Sequence, residues 1–259
     1  MIKAKRKICI VVASRANYAR IRSTALILKE NKNIELQIIA AGSALLYKYG
    51  KVVEQIEKEL NKPHKASFIV SGDTPSEMAK STGLAIIELS SLFESLKPDL
   101  ILTIADRYET MATAIAASYM NIPLAHTQGG ELTGSIDESV RHAVTKLSHI
   151  HFPCTQKAKE ILIKMGEEPS SIILSGCPSI DLALEAEKNY DPNKNLFEIY
   201  GGSGRKLDWN QNFIVVLQHP ITTDYSSTLS QIEETIKAVQ SQQSQVVWLW
   251  PNVDAGSDI

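Results

Sequence analysis

An α/β fold on parallel sheets, in two units of which the second is incomplete, is what the amino-acid sequence predicts. Three observations carry that reading. Short β-rich runs alternate with longer helical patterns, the rhythm of βαβ units. The runs are apolar throughout, as expected of strands covered on both faces. A long polar stretch then interrupts the rhythm. Only two strands and one helix follow it, too little apolar surface for a normal core.

The elements follow in order. KICIVVA (Lys7–Ala13) reads as the first strand and leads to a helix over about Tyr18–Glu30. IELQIIA (Ile34–Ala40) is the second strand, ending at Gly42, and KASFIV (Lys65–Val70) is the third. A long helical segment covers about Ser76–Leu96 and is closed by Lys97-Pro98. LILTIA (Leu100–Ala105), a helix over about Glu109–Met120 and the strand IPLAH (Ile122–His126) continue the series. Asp191–Gln211, with Pro192 and the Gly201–Gly204 cluster, reads as a loop or inter-domain connection. FIVVLQHP (Phe213–Pro220), a helix over about Ser227–Gln240 and QVVWLW (Gln245–Trp250) open a second series, which stops at NVDAGSDI. The expected division is a first domain over residues 1–178, a connection over 179–211 and a partial domain over 212–259, cut in mid-domain.

Composition narrows the partners. Of 259 residues, 44% are hydrophobic and 22% charged, an ordinary globular balance. A net charge of −2 gives no general pull toward nucleic acid or an anionic membrane. Lys3, Lys5, Arg6 and Lys7 read as a solvated end; no signal peptide follows them, and no apolar run approaches the ~20 residues of a membrane span. Cys9, Cys154 and Cys177 form no C-x-x-C and read as free thiols in a reducing cytoplasm. The expectation is a cytoplasmic protein without metal, cofactor, nucleic-acid or membrane partner.

In open parallel sheets, ligands bind at the carboxyl ends of strands, where loops lead into helices. Five polar clusters fall there: Ser14-Arg15-Ala16-Asn17, Asp106-Arg107-Tyr108-Glu109, the loop after His126, Gln218-His219-Pro220, and Asn252-Val253-Asp254-Ala255-Gly256. Together they predict a cleft between the two units. Structural readings compete at each place. Arg15 suits an anion site or plain surface. Asp106 suits a substrate, a helix cap or a local pair with Arg107. Gly129-Gly130 can admit a ligand to the backbone or simply turn the chain. Asp137 and Glu138 lie where acids favour a helix dipole, and Asp137 shares a face with Arg141 if the helix begins there. His149-Ile150-His151 imitates a metal pair, but no further ligand spacing accompanies it.

SRANY (Ser14–Tyr18), the Asp106–Glu109 cluster, Gly129-Gly130-Glu131 and SIDESVRHA (Ser135–Ala143) resemble, in that order, the hydrolysing UDP-N-acetylglucosamine 2-epimerases. The nearest branch makes N-acetylmannosamine for sialic-acid-type sugars. GCPSID (Gly176–Asp181) and WPNVDAGS (Trp250–Ser257) extend the resemblance over essentially the whole chain. It implies two Rossmann-like domains in the glycosyltransferase B arrangement, the second incomplete here, with a UDP-sugar in the cleft. It also implies a longer full-length form, for which a homo-oligomer is expected. The implied reaction releases UDP from the anomeric carbon as a proton leaves C2, and water then adds to the resulting 2-acetamidoglucal.

Carried over by position, Asp106, Asp137 and Arg141 match residues of the family's catalytic cleft, and Glu131 is an added acid in the same loop. Arg15, His219 and Asn252 match nucleotide-sugar contacts, and Asp181 a substrate-side acid. Two positions depart from the family pattern. Asn17 stands where the family has Asp. Gln128 stands where relatives often have a catalytic Glu, and a neutral amide cannot act as a general base. Gln128 is therefore expected to bind substrate, and it admits two alternatives: a UDP-2,4-diacetamido-trideoxyhexose as substrate, or a non-catalytic remnant.

Overall fold

Arg6–Val12 (β1) carries the first apolar run into the middle of a six-stranded sheet. The computed structural model describes residues 4–189, 191, 194, 198–199 and 201–258; Lys3, Pro192 and part of the expected connection lie outside them. The sheet continues with Ile34–Ala41 (β2), His64–Ala66 (β3), Leu100–Ile104 (β4), Leu124–Thr127 (β5) and Ile150–Phe152 (β6). Its order is β3-β2-β1-β4-β5-β6 and every pairing is parallel. The order reverses between β1 and β4, which makes the carboxyl ends of these strands the natural place for a ligand.

Helices cover both faces. They are Arg15–Glu30 (α1), Val52–Glu59 (α2), Pro75–Leu96 (α3), Tyr108–Tyr119 (α4), Ile136–Leu147 (α5), Gln156–Lys164 (α6) and Pro178–Lys188 (α7). One buried layer joins Leu89, Phe93, Ile101 and Leu124; the opposite layer joins Ile10, Ile21, Ile56 and Ile104. Two apolar layers are why the strands read as apolar throughout. Buried Ala112, Ala116 and Ala117 let α4 pack closely against α3.

A second, two-stranded parallel sheet pairs Phe213–Val216 (β7) with Gln245–Trp248 (β8), beside helix Thr228–Gln240 (α8). Val215, Leu217, Leu229 and Trp250 of this second sheet and its helix are exposed.

Several boundaries differ from the sequence reading. Helix α1 starts earlier, at Arg15, because the Ser14 hydroxyl accepts the Asn17 N–H at 3.1 Å. The third strand is cut to His64–Ala66; beyond it Phe68 turns inward onto Gly42. Helix α2 lies where no element was expected, with Val52, Val53 and Ile56 buried. Helix α7 occupies the start of the expected connection and packs on α1, with Arg22 and Glu185 paired at 2.9 Å.

Candidate active site

Two non-glycine residues at strand ends hold left-handed backbone: Ala105 after β4, φ 60°, and Gln128 after β5, φ 64°. Such strain persists only where neighbours fix it. Here the Ala105 N–H donates to the Thr127 carbonyl at 3.2 Å, and the Gln128 N–H to Phe152 at 3.0 Å. Buried His126 adds a side-chain clamp. Its Nε2 lies 2.8 Å from the Ala105 carbonyl and its Nδ1 3.1 Å from the Thr145 hydroxyl. A carbonyl only accepts, so Nε2 carries the hydrogen and Nδ1 accepts from Thr145. Burial pushes the imidazole pKa down to about 4, so the ring is neutral at pH 7. The clamp fixes β4, β5 and α5 together, and with them the loops that follow.

The loop into α5 is closed by Glu138, whose carboxylate accepts the N–H groups of Thr133 (2.5 Å) and Gly134 (2.7 Å). Those bonds hold its pKa below the usual carboxylate range. Gly130 is pressed against α6: a Cβ there would stand 2.3 Å from the Ala158 carbonyl oxygen. Arg141, buried on α5, pairs with Asp106 and donates to the Glu131 carbonyl at 2.5 Å. Asp106 thus caps no helix and pairs with a distant arginine rather than with Arg107.

These residues border a cavity of about 430 Å³ between the two sheets. Asp106, Glu131, Asp137 and Arg141 line it from the first unit, His219 and Asn252 from the second. Asp137 is open to the cavity, yet the surrounding protein partly desolvates it. That desolvation, with the charges of Asp106 and Asp254, raises its pKa. The Asn252 N–H donates to His219 Nδ1 at 3.3 Å, tying the two second-unit candidates together. Burial lowers the His219 pKa against the opposing pull of Asp254.

Three predicted residues stand elsewhere. Arg15 borders a neighbouring groove and donates to the Trp250 carbonyl at 3.1 Å. Gln128 is buried behind the cavity, where it accepts from Arg20 Nη1 at 3.2 Å, and Arg20 itself lines the cavity. Asp181 is exposed on the first turn of α7 and borders neither space.

The sequence reading assigned no role to Arg107, Glu109 or Asp254. Arg107 is buried, with Nε 3.1 Å from Glu109 and Nη1 3.0 Å from Asp254. Burial disfavours its charge, but the two acids outweigh that and raise its pKa. The Asp73 carboxylate accepts the N–H groups of Gly256, Ser257 and Asp258 at 2.9 to 3.1 Å. Among the described residues, no group of three His, Cys, Asp or Glu is arranged to hold a metal ion, and no helix is long and apolar enough to cross a membrane.

The model of the UDP-N-acetylglucosamine 2-epimerase family matches residues 27–259. A UDP-N,N'-diacetylbacillosamine 2-epimerase (hydrolyzing) of Legionella pneumophila is 33% identical, over 98% of this chain and 66% of its own length. A GDP/UDP-N,N'-diacetylbacillosamine 2-epimerase (hydrolyzing) of Campylobacter jejuni is also 33% identical, over 97% of this chain and 64% of its own. The chain therefore spans about two thirds of the length of these curated relatives. The Methanocaldococcus jannaschii UDP-GlcNAc 2-epimerase, solved with UDP-GlcNAc and UDP, superposes with a TM-score of 0.76 at 22% identity, over 95% of this chain and 66% of that one. At that identity the likeness speaks for the fold: Rossmann-like units in the glycosyltransferase B arrangement. The family match and the two 33% identities together show that this chain belongs to the UDP-N-acetylglucosamine 2-epimerase family.

Proposed function

We propose that the full-length protein is a hydrolysing 2-epimerase of a UDP-2-acetamido sugar, with UDP-N-acetylglucosamine as substrate and N-acetylmannosamine and UDP as products. The observation that carries this is the convergence of Asp106, Glu131, Asp137 and Arg141 on one cavity that also meets His219 and Asn252. Weakly acidic C2–H chemistry needs a positioned carboxylate of raised basicity. Asp137 has that character and takes the C2 hydrogen as UDP leaves. Arg141, held by Asp106 and the Glu131 carbonyl, fixes the loop and stabilises developing negative charge. Asp106 and Glu131 are further carboxyls on the cavity wall that return a proton and activate water, whereas Asp254, on the same wall, is held by Arg107. His219 and Asn252 hold the nucleotide side of the substrate.

A second reading replaces the substrate with a UDP-2,4-diacetamido-trideoxyhexose. The two relatives at 33% identity carry names of that kind, and Gln128 stands where relatives often have an acid. The test is incubation of full-length protein with each sugar nucleotide in deuterium oxide. Release of UDP with a C2-deuterated free sugar from one substrate selects that reading. Asp137→Asn should then lower the rate by about 10²–10⁴-fold. UDP binding in calorimetry without release from either sugar would leave a non-catalytic remnant and overturn the proposal.

A further inference from the structure

Cys154 and Cys177, distant in sequence, meet beside the cleft loop. The chain after α6 runs parallel beside β6: the Ile173 N–H donates to the His151 carbonyl at 2.8 Å and the Ser175 N–H to Pro153 at 3.2 Å. This pairing carries it past Cys154. Gly176, at φ 78°, then turns it into α7, with Cys177 at the N-cap position. The pairing sets Cys154 and Cys177 side by side, and each thiol affects the ionisation of the other, as Glu131 affects that of Cys154. Both are partly accessible free cysteines, whereas Cys9 is buried in the core. Among the described residues the trio forms no metal-holding group.

The two thiols differ in acidity. Burial, followed by Cys177 and Glu131, pushes Cys154 up to about 12. Burial also disfavours the Cys177 thiolate, but the polar groups of Ser179, the Cys154 thiol and the Ile180 N–H outweigh it and lower the pKa. An ionisable thiol thus lies beside a proton-bearing one, the arrangement of an attacking and a resolving cysteine.

We propose that Cys154 and Cys177 are a peroxide-sensitive pair that closes into a disulfide at the edge of the cleft. The Cys177 thiolate attacks one oxygen of hydrogen peroxide, the O–O bond breaks, and the departing hydroxide takes up a proton as water. Cys177 is left as a sulfenic acid. The Cys154 sulfur then attacks Cys177 Sγ and the S–O bond breaks. Hydroxide leaves and takes the Cys154 proton as a second water. Two thiols lose two electrons and one peroxide gains them. The new bond ties the start of α7 to the turn between β6 and α6. The proposal is independent of the substrate reading.

The test uses this chain, treated with hydrogen peroxide, alkylated under denaturing conditions and mapped without reduction. The expected result is a peptide joining Cys154 to Cys177, lighter by two hydrogens, formed at least about tenfold faster than Cys9 loses its thiol. With Cys154→Ser, dimedone should trap a sulfenic acid at Cys177; with Cys177→Ser, Cys154 should stay reduced. Circular dichroism confirms that each variant is folded. Over-oxidation of both thiols without linkage, linkage only between molecules, or dimedone marking Cys154 would each overturn the proposal.

Discussion

Replacing Gly130 with alanine separates two costs that usually act together. Its φ is 82°, where an L side chain costs about 1 kcal/mol. The added Cβ would also stand 2.3 Å from the Ala158 carbonyl oxygen and 3.1 Å from Leu162 Cγ. The nearer atom is backbone of α6 and cannot swing away, so the loop or the helix must shift, at about 1–3 kcal/mol. The sum is about 2–4 kcal/mol. Gly134, in the same loop, is the control: its φ is 71°, but no atom lies within 4 Å of an added Cβ. Gly134→Ala should cost only the backbone share, about 1 kcal/mol. A difference of about 2 kcal/mol corresponds to about 4–8 °C in Tm for a chain of this size. Urea titration and scanning calorimetry of the three proteins provide the comparison. Equal losses for both variants, or a Gly130→Ala loss below about 1 kcal/mol, would refute the close packing of this loop on α6.

Other outcomes follow from the same geometry. Arg141→Met leaves Asp106 without its partner and should cost about 3–5 kcal/mol in urea unfolding, while the Arg141→Met/Asp106→Ala double variant recovers part of it. His126 resists protonation when folded, so the unfolded chain binds more protons between about pH 6.5 and about pH 4. Stability therefore falls as pH drops through that window, by about 3 kcal/mol from this residue, and ring-nitrogen NMR should find it neutral at pH 5.5. For Asp137 the sign is reversed. Its raised folded pKa makes the folded state hold the proton longer, so its charge costs stability as pH rises through the usual carboxylate range. Asp137→Asn should be more stable than wild type at pH 7, and the difference should vanish at low pH; a difference that grows on acidification contradicts the raised pKa.

The parallel strands were legible because two apolar layers leave a strand no polar face, as in Cys9-Ile10-Val11-Val12. The third strand was over-read because Phe68 is apolar for a different reason: it fills the space against Gly42 after the pairing has ended. Helix α2 was missed although Val52, Val53 and Ile56 mark one face, since eight residues give a weak periodic signal. Asp106, Glu131, Asp137 and Arg141 were singled out by the family resemblance of their motifs, and they share one cavity because those motifs follow neighbouring strands β4 and β5. Arg107 was read in the same cluster as Asp106, but its pairing with Asp254 was not foreseen, because Asp254 lies in the other unit and no local spacing announces it. Asp181 was singled out by its motif, but helix α7 presents it to solvent. Nothing in the spacing of Cys154 and Cys177 foretold that the segment after α6 would pair beside β6 and set them side by side.

Polar contacts hold the seam between the two sheets. Arg107 grips Asp254, Asp73 gathers three N–H groups of the chain end, Lys48 pairs with Asp258, and Arg15 reaches the Trp250 carbonyl. Dissolved salt screens the exposed Lys48–Asp258 pair far more than the buried Arg107–Asp254 pair. The Arg107 joint therefore outlasts a rise in ionic strength that removes the Lys48 one, and ligand titrations of this molecule have to be compared at one fixed salt concentration.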